Sequence, residues 1–146
     1  MIIDEIVEMW IADSKIDDVE LDTESLKIPS LHAKYLKILY QQKLKLKSLI
    51  IKKKTLNRVL SEYYKGDLNH PEDLKELNRE PWQRTVLKQD LPSYIDSDDD
   101  MIKLLTKISY QEEVVSLLED IIKNINNRGF QIKNGIDWRK LTNFGL

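Results

Sequence analysis

The chain has 146 residues, no cysteine and a formal net charge of −2. The lack of cysteine excludes disulfide bonds and thiolate chemistry, and purely apolar runs such as residues 49–51 are far shorter than the roughly 20 residues of a membrane span. Four glycines and four prolines are too few for the many turns of a β-sandwich or barrel, so the composition favours an all-α protein.

The N-terminal segment alternates apolar and acidic residues. Apolar side chains at positions 2, 3, 6, 7, 10 and 11 have helical spacing and predict a short amphipathic helix over residues 2–12. The chain begins with acidic residues where a signal peptide would be basic, so we expect a soluble, intracellular protein. An acidic linker is predicted over residues 13–24.

A long helix is predicted next, because residues 31–64 contain neither glycine nor proline. The preceding Pro29 and Ser30 suggest its start, with the Ser30 hydroxyl capping the free amides of the first turn. At 100° per residue the helix has one apolar face. That face carries Leu31, Tyr35, Ile38, Leu39, Leu46, Leu49, Leu56, Leu60 and Tyr63.

The opposite side of this helix is cationic. Residues 26–65 hold eleven Lys or Arg and one acid, Glu62, for a net charge of +10 in an otherwise acidic chain. The main strip contains Lys43, Lys47, Lys54, Arg58 and Lys65, and a flanking strip contains Lys34, Lys45 and Lys52. Such a strip suits the phosphates of a nucleic acid, although a solvated helix face remains the alternative. Among the tyrosines, Tyr35 and Tyr63 are expected in the core, whereas Tyr40 and Tyr64 are freer to stack on bases.

The second half of the chain predicts a partner helix. Residues 66–97 are interrupted by glycine and prolines and are expected to be irregular, and Asp98, Asp99 and Asp100 open a helix. Its packing seam contains Leu104, Ile108, Gln111, Val115, Leu118, Ile122 and Ile125. We expect Gly129 to end it in a left-handed conformation, with a separate short element over residues 132–143 whose apolar residues extend to Phe144.

The two long helices predict an antiparallel hairpin with short terminal helices. Leu44, Ile50 and Ile51 lie off the main apolar face of the first helix, and this surplus favours oligomerisation. The acidic N-terminal block could fold back over the basic helix.

Catalytic chemistry has little support in the sequence. There is no glycine-rich phosphate loop followed by Lys-Ser or Lys-Thr, and the two histidines lie in different elements. The carboxylates of residues 96–100 could bind a divalent cation in a nuclease, but we favour the ordinary explanation that negative charge stabilises a helix start. The rivals to nucleic-acid binding are thus a helical adaptor that binds only protein and, less favoured, a metal-dependent nuclease.

Four segments carry a family resemblance. They are residues 31–36, residues 52–66, residues 84–87 and residues 127–133, in the same order and at nearly the same spacing as in that family. The most specific element is Arg-Gly-Phe-x-Ile-Lys at 128–133, and the least specific is the lysine-rich helix. From about residue 20 to its end, the chain resembles UvsY, the recombination mediator of large tailed phages.

The resemblance implies a protein without enzymatic activity or cofactor, working in the cytoplasm of the infected host cell. Such proteins bind single-stranded DNA as ring-like oligomers, here of six or seven subunits, weaken the hold of the phage single-strand-binding protein and load the RecA-like recombinase. The family's basic DNA-contacting positions fall on Lys53, Lys54 and Arg58. This chain departs at Leu60, where the family can have a second basic residue.

The resemblance also implies that the C-terminal region holds the oligomer together. The expected interface residues are Leu118, Ile122, Ile125, Phe130, Ile132, Ile136 and Trp138. The chain is therefore divided into a DNA-binding region, residues 1–97, and an oligomerisation region, residues 98–146, within one structural unit.

The helical wheel and the resemblance together give the full set of predicted DNA-binding residues. They are Lys43, Lys47, Lys52, Lys53, Lys54, Arg58 and Lys65.

Overall fold

The computed structural model describes residues 2–143, which form α-helices joined by turns and loops. The helices are α1 (Ile3–Asp13), α2 (Leu21–Leu26), α3 (Ile28–Tyr64), α4 (Pro71–Leu77), α5 (Leu91–Asp96) and α6 (Asp99–Asn143). No strand occurs within this range, so the all-α prediction is confirmed for it. None of these helices is both long enough and apolar enough to cross a membrane.

The chain divides into two compact units, and α3 and α6 each pass through both. One unit contains Met1–Lys45 with Gln111–Leu146, and the other contains Leu46–Tyr110. This division differs from the predicted boundary between residues 97 and 98. That boundary separates a DNA-binding region from an oligomerisation region, and it stays a prediction. We call the first of these two compact units the terminal unit and the second the middle unit.

In the terminal unit, α1 packs on α3 and α6. The rings of Trp10 and Tyr35 meet edge to face with their centroids 5.4 Å apart, and the Tyr35 hydroxyl donates to Asp13 Oδ2 at 2.9 Å. The buried Gln111 side chain donates to the Gln42 carbonyl oxygen at 2.9 Å and to its side-chain oxygen at 3.0 Å. Earlier residues of α3 meet later residues of α6, so the two helices run antiparallel, as predicted.

The middle unit closes around the C-terminal end of α3. Its buried residues are Leu60, Tyr63, Tyr64, Leu74, Ile95 and Met101. Gly66, at φ +80°, ends α3 in a left-handed turn: its amide donates to the Tyr63 carbonyl, and the Asp67 amide donates to the Glu62 carbonyl. This turn directs the following segment back over the apolar side of α3.

Several predicted boundaries are wrong. The linker 13–24 contains most of α2, and residues 66–97 contain α4 and α5. Helix α3 begins at Ile28, so Ser30 lies inside its first turn and its hydroxyl donates to the Lys27 carbonyl at 3.0 Å.

The predicted helix end at Gly129 is also wrong, because α6 continues to Asn143 and includes the predicted separate element over residues 132–143. Glycine in a helix interior costs only about 1 kcal/mol relative to alanine. The buried positions Ile121, Ile125, Arg128 and Ile132 keep the three-four helical spacing across the glycine, and their packing outweighs that cost. Phe144 lies outside the described residues.

Candidate nucleic-acid interface

Most of the predicted DNA-binding residues lie on the part of α3 that belongs to the middle unit. These residues are Lys47, Lys52, Lys53, Lys54 and Arg58; Lys65 directly follows the end of α3, and all six side chains are exposed. Lys43 belongs to the terminal unit, where its Nζ lies 3.7 Å from Glu119 Oε1 and 5.5 Å from the centre of the Tyr40 ring. Lys43 therefore already has an anionic partner within the chain.

Residues 50–55 form a stretch of α3 that is exposed on every side, which we call the bare stretch. All six residues are exposed, and six consecutive helical residues point in every direction around the axis. The stretch contains Ile50, Ile51, Lys52, Lys53, Lys54 and Thr55. Its three lysines are therefore free to meet a ligand from any side of the helix.

Acidic side chains surround the end of the basic strip. The Arg58 guanidinium lies 3.3 Å from Glu62 Oε1, one helical turn further along α3. Asp73 and Glu76 of α4 line the same shallow cleft as Arg58. A phosphate approaching Arg58 must replace Glu62 and tolerate the other two carboxylates, and Lys65 lies beyond this acidic region, after the end of α3. The electrostatics are therefore most favourable to phosphate along residues 47–54.

The paired tyrosines that follow the basic strip are buried. Tyr63 donates its hydroxyl proton to the Glu80 carbonyl oxygen at 2.7 Å, and Tyr64 donates to Asp98 Oδ2 at 2.7 Å. The Tyr64 ring lies 4.7 Å from the Trp82 ring, centre to centre, and meets it edge to face. Tyr63 is in the core as predicted, but the prediction that Tyr64 is free is wrong, because the segment after Gly66 returns to cover it. Tyr40 remains 57% exposed.

A buried ion pair ties the segment after α4 to the start of α6, where Asp98 also accepts the hydrogen bond from Tyr64 of α3. The Arg79 guanidinium donates to both carboxylate oxygens of Asp98, at 2.6 and 2.7 Å, and also to Asp100 Oδ2 at 2.8 Å. Asp98 also accepts bonds from the amides of Asp100 and Met101, at 2.9 and 3.4 Å, so it caps α6 as the acidic start of that helix predicted. No signal in the sequence identified Arg79, which lies 19 residues before its partner.

This network shifts the pKa values of its members. Burial raises the pKa of Asp98, but the hydrogen bonds from Arg79 and Tyr64 and the Arg79 charge outweigh it, so the net pKa lies below the ordinary value. Burial, followed by the hydrogen bond to Asp98 and its charge, raises the pKa of Tyr64 to about 12. Hydrogen bonding to Asp98 is the main cause of the raised pKa of Arg79. Asp98 is therefore ionised and fully engaged within the protein.

The carboxylates of residues 96–100 do not converge on a common point. Asp98 is held by Arg79 and Tyr64, and Asp100 also binds Arg79. Among residues 2–143, no three His, Cys, Asp or Glu side chains are placed to hold a metal ion together. The arrangement favours helix capping over cation binding.

The Arg-Gly-Phe element organises the terminal unit. The buried Arg128 guanidinium donates to the carbonyl oxygens of Ser14 and Lys15, both at 3.0 Å, and lies 3.6 Å from Glu24 Oε2. It thereby joins the residues after α1, and Glu24 of α2, to α6. Another acid of the N-terminal block pairs nearby: Asp13 Oδ2 lies 2.6 Å from Lys34 Nζ. These contacts involve none of the seven predicted DNA-binding residues.

The predicted oligomerisation residues fall into two groups. Leu118, Ile125 and Ile132 are buried against their own chain, and Ile122 and Ile136 are half-buried. Phe130 and Trp138 are 70% and 66% exposed. Only these last two offer a large apolar surface to a second chain, and their role in assembly stays a prediction.

Comparisons with known proteins agree with this architecture. A family model described as "Recombination, repair and ssDNA binding protein UvsY" matches residues 9–145. No curated protein sequence matches the chain significantly.

The fold is similar to that of the bacteriophage T4 recombination mediator protein UvsY, whose crystal structures in lattice types II, I and IV give TM-scores of 0.84, 0.83 and 0.85. The sequence identities are 22%, 22% and 21%, over 97%, 94% and 97% of this chain and 98%, 98% and 99% of the T4 chain. At this identity the likeness shows a shared fold, whereas the family model spans nearly the whole sequence. The chain therefore belongs to the UvsY family of recombination, repair and single-stranded-DNA-binding proteins.

Proposed function

We propose that this protein is a recombination mediator whose DNA-binding surface is centred on the bare stretch of α3. It binds single-stranded DNA there, displaces the phage single-strand-binding protein and loads a RecA-like recombinase, without catalysis of its own. The observation that carries the proposal is three consecutive exposed lysines, Lys52–Lys54, on a helix segment that is open on every side in a chain of this family.

Weak contacts suffice for such a role when the protein is an oligomer. Each lysine that neutralises a phosphate releases counterions and contributes a modest, sequence-independent affinity. Several copies of the bare stretch in one ring would act together through effective concentration, and a flexible single strand can follow them more easily than a stiff duplex. Binding of this kind removes the strand from a competing protein without nucleotide hydrolysis.

The proposal is tested by the fluorescence anisotropy of labelled single-stranded and duplex oligonucleotides at several salt concentrations. The double variant Lys54→Ala, Arg58→Ala removes two proposed phosphate contacts. We expect weaker single-strand binding, and a slope of log K against log salt concentration (the salt slope) that is shallower by about 1.4. The matched control is Lys103→Ala, Lys107→Ala, which removes two exposed lysines with the same spacing from α6. The same slope and affinity in both double variants would place the DNA elsewhere on the protein.

Absence of any salt-dependent binding by the unmodified protein would instead favour the helical adaptor. For the mediator step, we expect the protein to release labelled single-strand-binding protein from a coated strand and to shorten the lag of recombinase filament assembly. The Lys54, Arg58 variant should do both more slowly. Release without a shortened lag would contradict the loading step alone.

The ring is proposed to use the exposed apolar residues near the end of α6. Replacing Phe130 and Trp138 by Ser should lower the mass seen in sedimentation experiments while leaving helix content unchanged, because both side chains are mostly exposed in the chain. Deletion of residues 127–146 should also break the oligomer, but it removes the buried Arg128 as well. Leu87→Ser, at an exposed site outside α6, is the control, and an unchanged mass after the double substitution would refute this interface.

A further inference from the structure

The bare stretch exposes apolar as well as cationic surface. Ile51 is 63% exposed and Ile50 is 38% exposed, although neither has a polar atom in its side chain. On the helical wheel Ile51 lies about 40° from Lys47, about 60° from Lys54 and about 20° from Arg58. A large aliphatic side chain therefore lies within the cationic strip.

The composition of this strip matches the two chemistries of a single nucleic-acid strand. Its phosphates are anionic, and its unpaired bases present apolar faces that the stacked interior of a duplex hides. We propose that Ile51 packs against the bases of the bound strand while Lys47 and Lys54, one turn away on either side, contact its phosphates. The inference rests on the proposed function and adds to it a residue that selects single strands over duplexes.

A second copy of this chain is the other candidate for covering Ile51. If two copies met through this face, Lys47, Lys54 and Arg58 of one protomer would approach the same cations of the other. Like charges so placed oppose association, whereas a polyanion complements them. The charge around Ile51 therefore favours a nucleic acid as its partner.

The test uses the full-length protein and two oligonucleotides of equal length, one of thymidines and one of abasic sites with the same phosphates. Ile51→Gln keeps a good helix former and removes the apolar surface. We expect about fivefold weaker binding to the thymidine strand, unchanged binding to the abasic strand and an unchanged salt slope. The control is Ile102→Gln, at a 47% exposed isoleucine on α6, which should change neither affinity.

Each other outcome has a distinct meaning. If Ile51→Gln binds both strands as the unmodified protein does, the contact with bases is refuted while the lysine site stands. If it binds both strands equally weakly and its sedimentation shows a smaller species, Ile51 belongs to a protein interface and the inference is wrong. If the unmodified protein binds neither strand, the proposed function itself fails.

Discussion

The Arg79–Asp98 pair predicts a large and specific loss of stability when Asp98 is replaced. Asp98→Ala leaves the Arg79 guanidinium, which is only 15% exposed, without its bidentate partner, and it removes the cap of α6. Breaking a buried pair from one side costs at least about 3 kcal/mol, and the lost cap adds about 1 kcal/mol. A loss near 4 kcal/mol should lower the melting temperature by about 8–16 °C for a chain of this size.

The measurement is thermal unfolding followed by circular dichroism at neutral pH. Asp98→Asn keeps a capping side chain and should lose only the ion-pair part of the stability. Asp100→Asn is the matched control, because Asp100 binds the same guanidinium but is 50% exposed, so its loss should stay below about 1 kcal/mol. A melting temperature for Asp98→Ala within 3 °C of that of Asp100→Asn would refute the reasoning.

The same pair predicts a pH dependence. Since the pKa of Asp98 is lowered by folding, its contribution to stability is present above the pKa of the unfolded chain, about 3.9, and is lost as the pH falls through the lower folded value. We expect the melting temperature of the unmodified protein to fall below about pH 4 more steeply than that of Asp98→Asn. Parallel curves for the two proteins would show that Asp98 titrates normally.

Three further predictions concern individual contacts. Glu62→Gln should strengthen single-strand binding about twofold, because it frees the Arg58 guanidinium from its carboxylate partner. Glu113→Gln is the control, and weaker binding by Glu62→Gln would contradict the prediction. Arg128→Met should lower the free energy of unfolding in urea by about 2–4 kcal/mol, because the carbonyl groups of Ser14 and Lys15 lose their charged donor. A change below about 1 kcal/mol would show that water replaces the lost hydrogen bonds. The raised pKa of Tyr64 contributes stability that is fully present below pH 10 and is lost as the pH rises through about 12. In Tyr64→Phe the free energy of unfolding should therefore fall less steeply with pH in this range than in the unmodified protein. An unchanged curve would exclude the titration of Tyr64 as a cause of alkaline unfolding.

The sequence predicted the long helices because their signals are local. Residues 31–64 lack helix breakers, and Gly66 supplies the left-handed residue that ends α3. The exposure of Lys52, Lys53 and Lys54 also followed from charge, because lysine is seldom fully buried. These features depend on residues within a turn or two of one another.

The errors arose where distant segments meet. The helical wheel places Tyr64 off the apolar face of α3 and so predicts that it is freer, but Trp82 and Tyr94 return to it from the following segment. The pairing of Arg79 with Asp98 likewise depends on that return. Gly129 has the sequence signature of a helix end, but the buried spacing on either side of it continues the helix.

The bare stretch makes physical sense as a preorganised binding segment. Three consecutive lysines repel one another, and an isolated helix of about six residues is not stable in water. Within α3, however, this stretch continues from buried residues such as Tyr35 and Leu39 into buried residues such as Leu60 and Tyr63. The packed parts keep the helix formed through the exposed part, so DNA bound at this proposed site would not have to supply the free energy of ordering it. Charge repulsion that would unfold a free peptide is retained in the folded chain, and a polyanion bound there would relieve it.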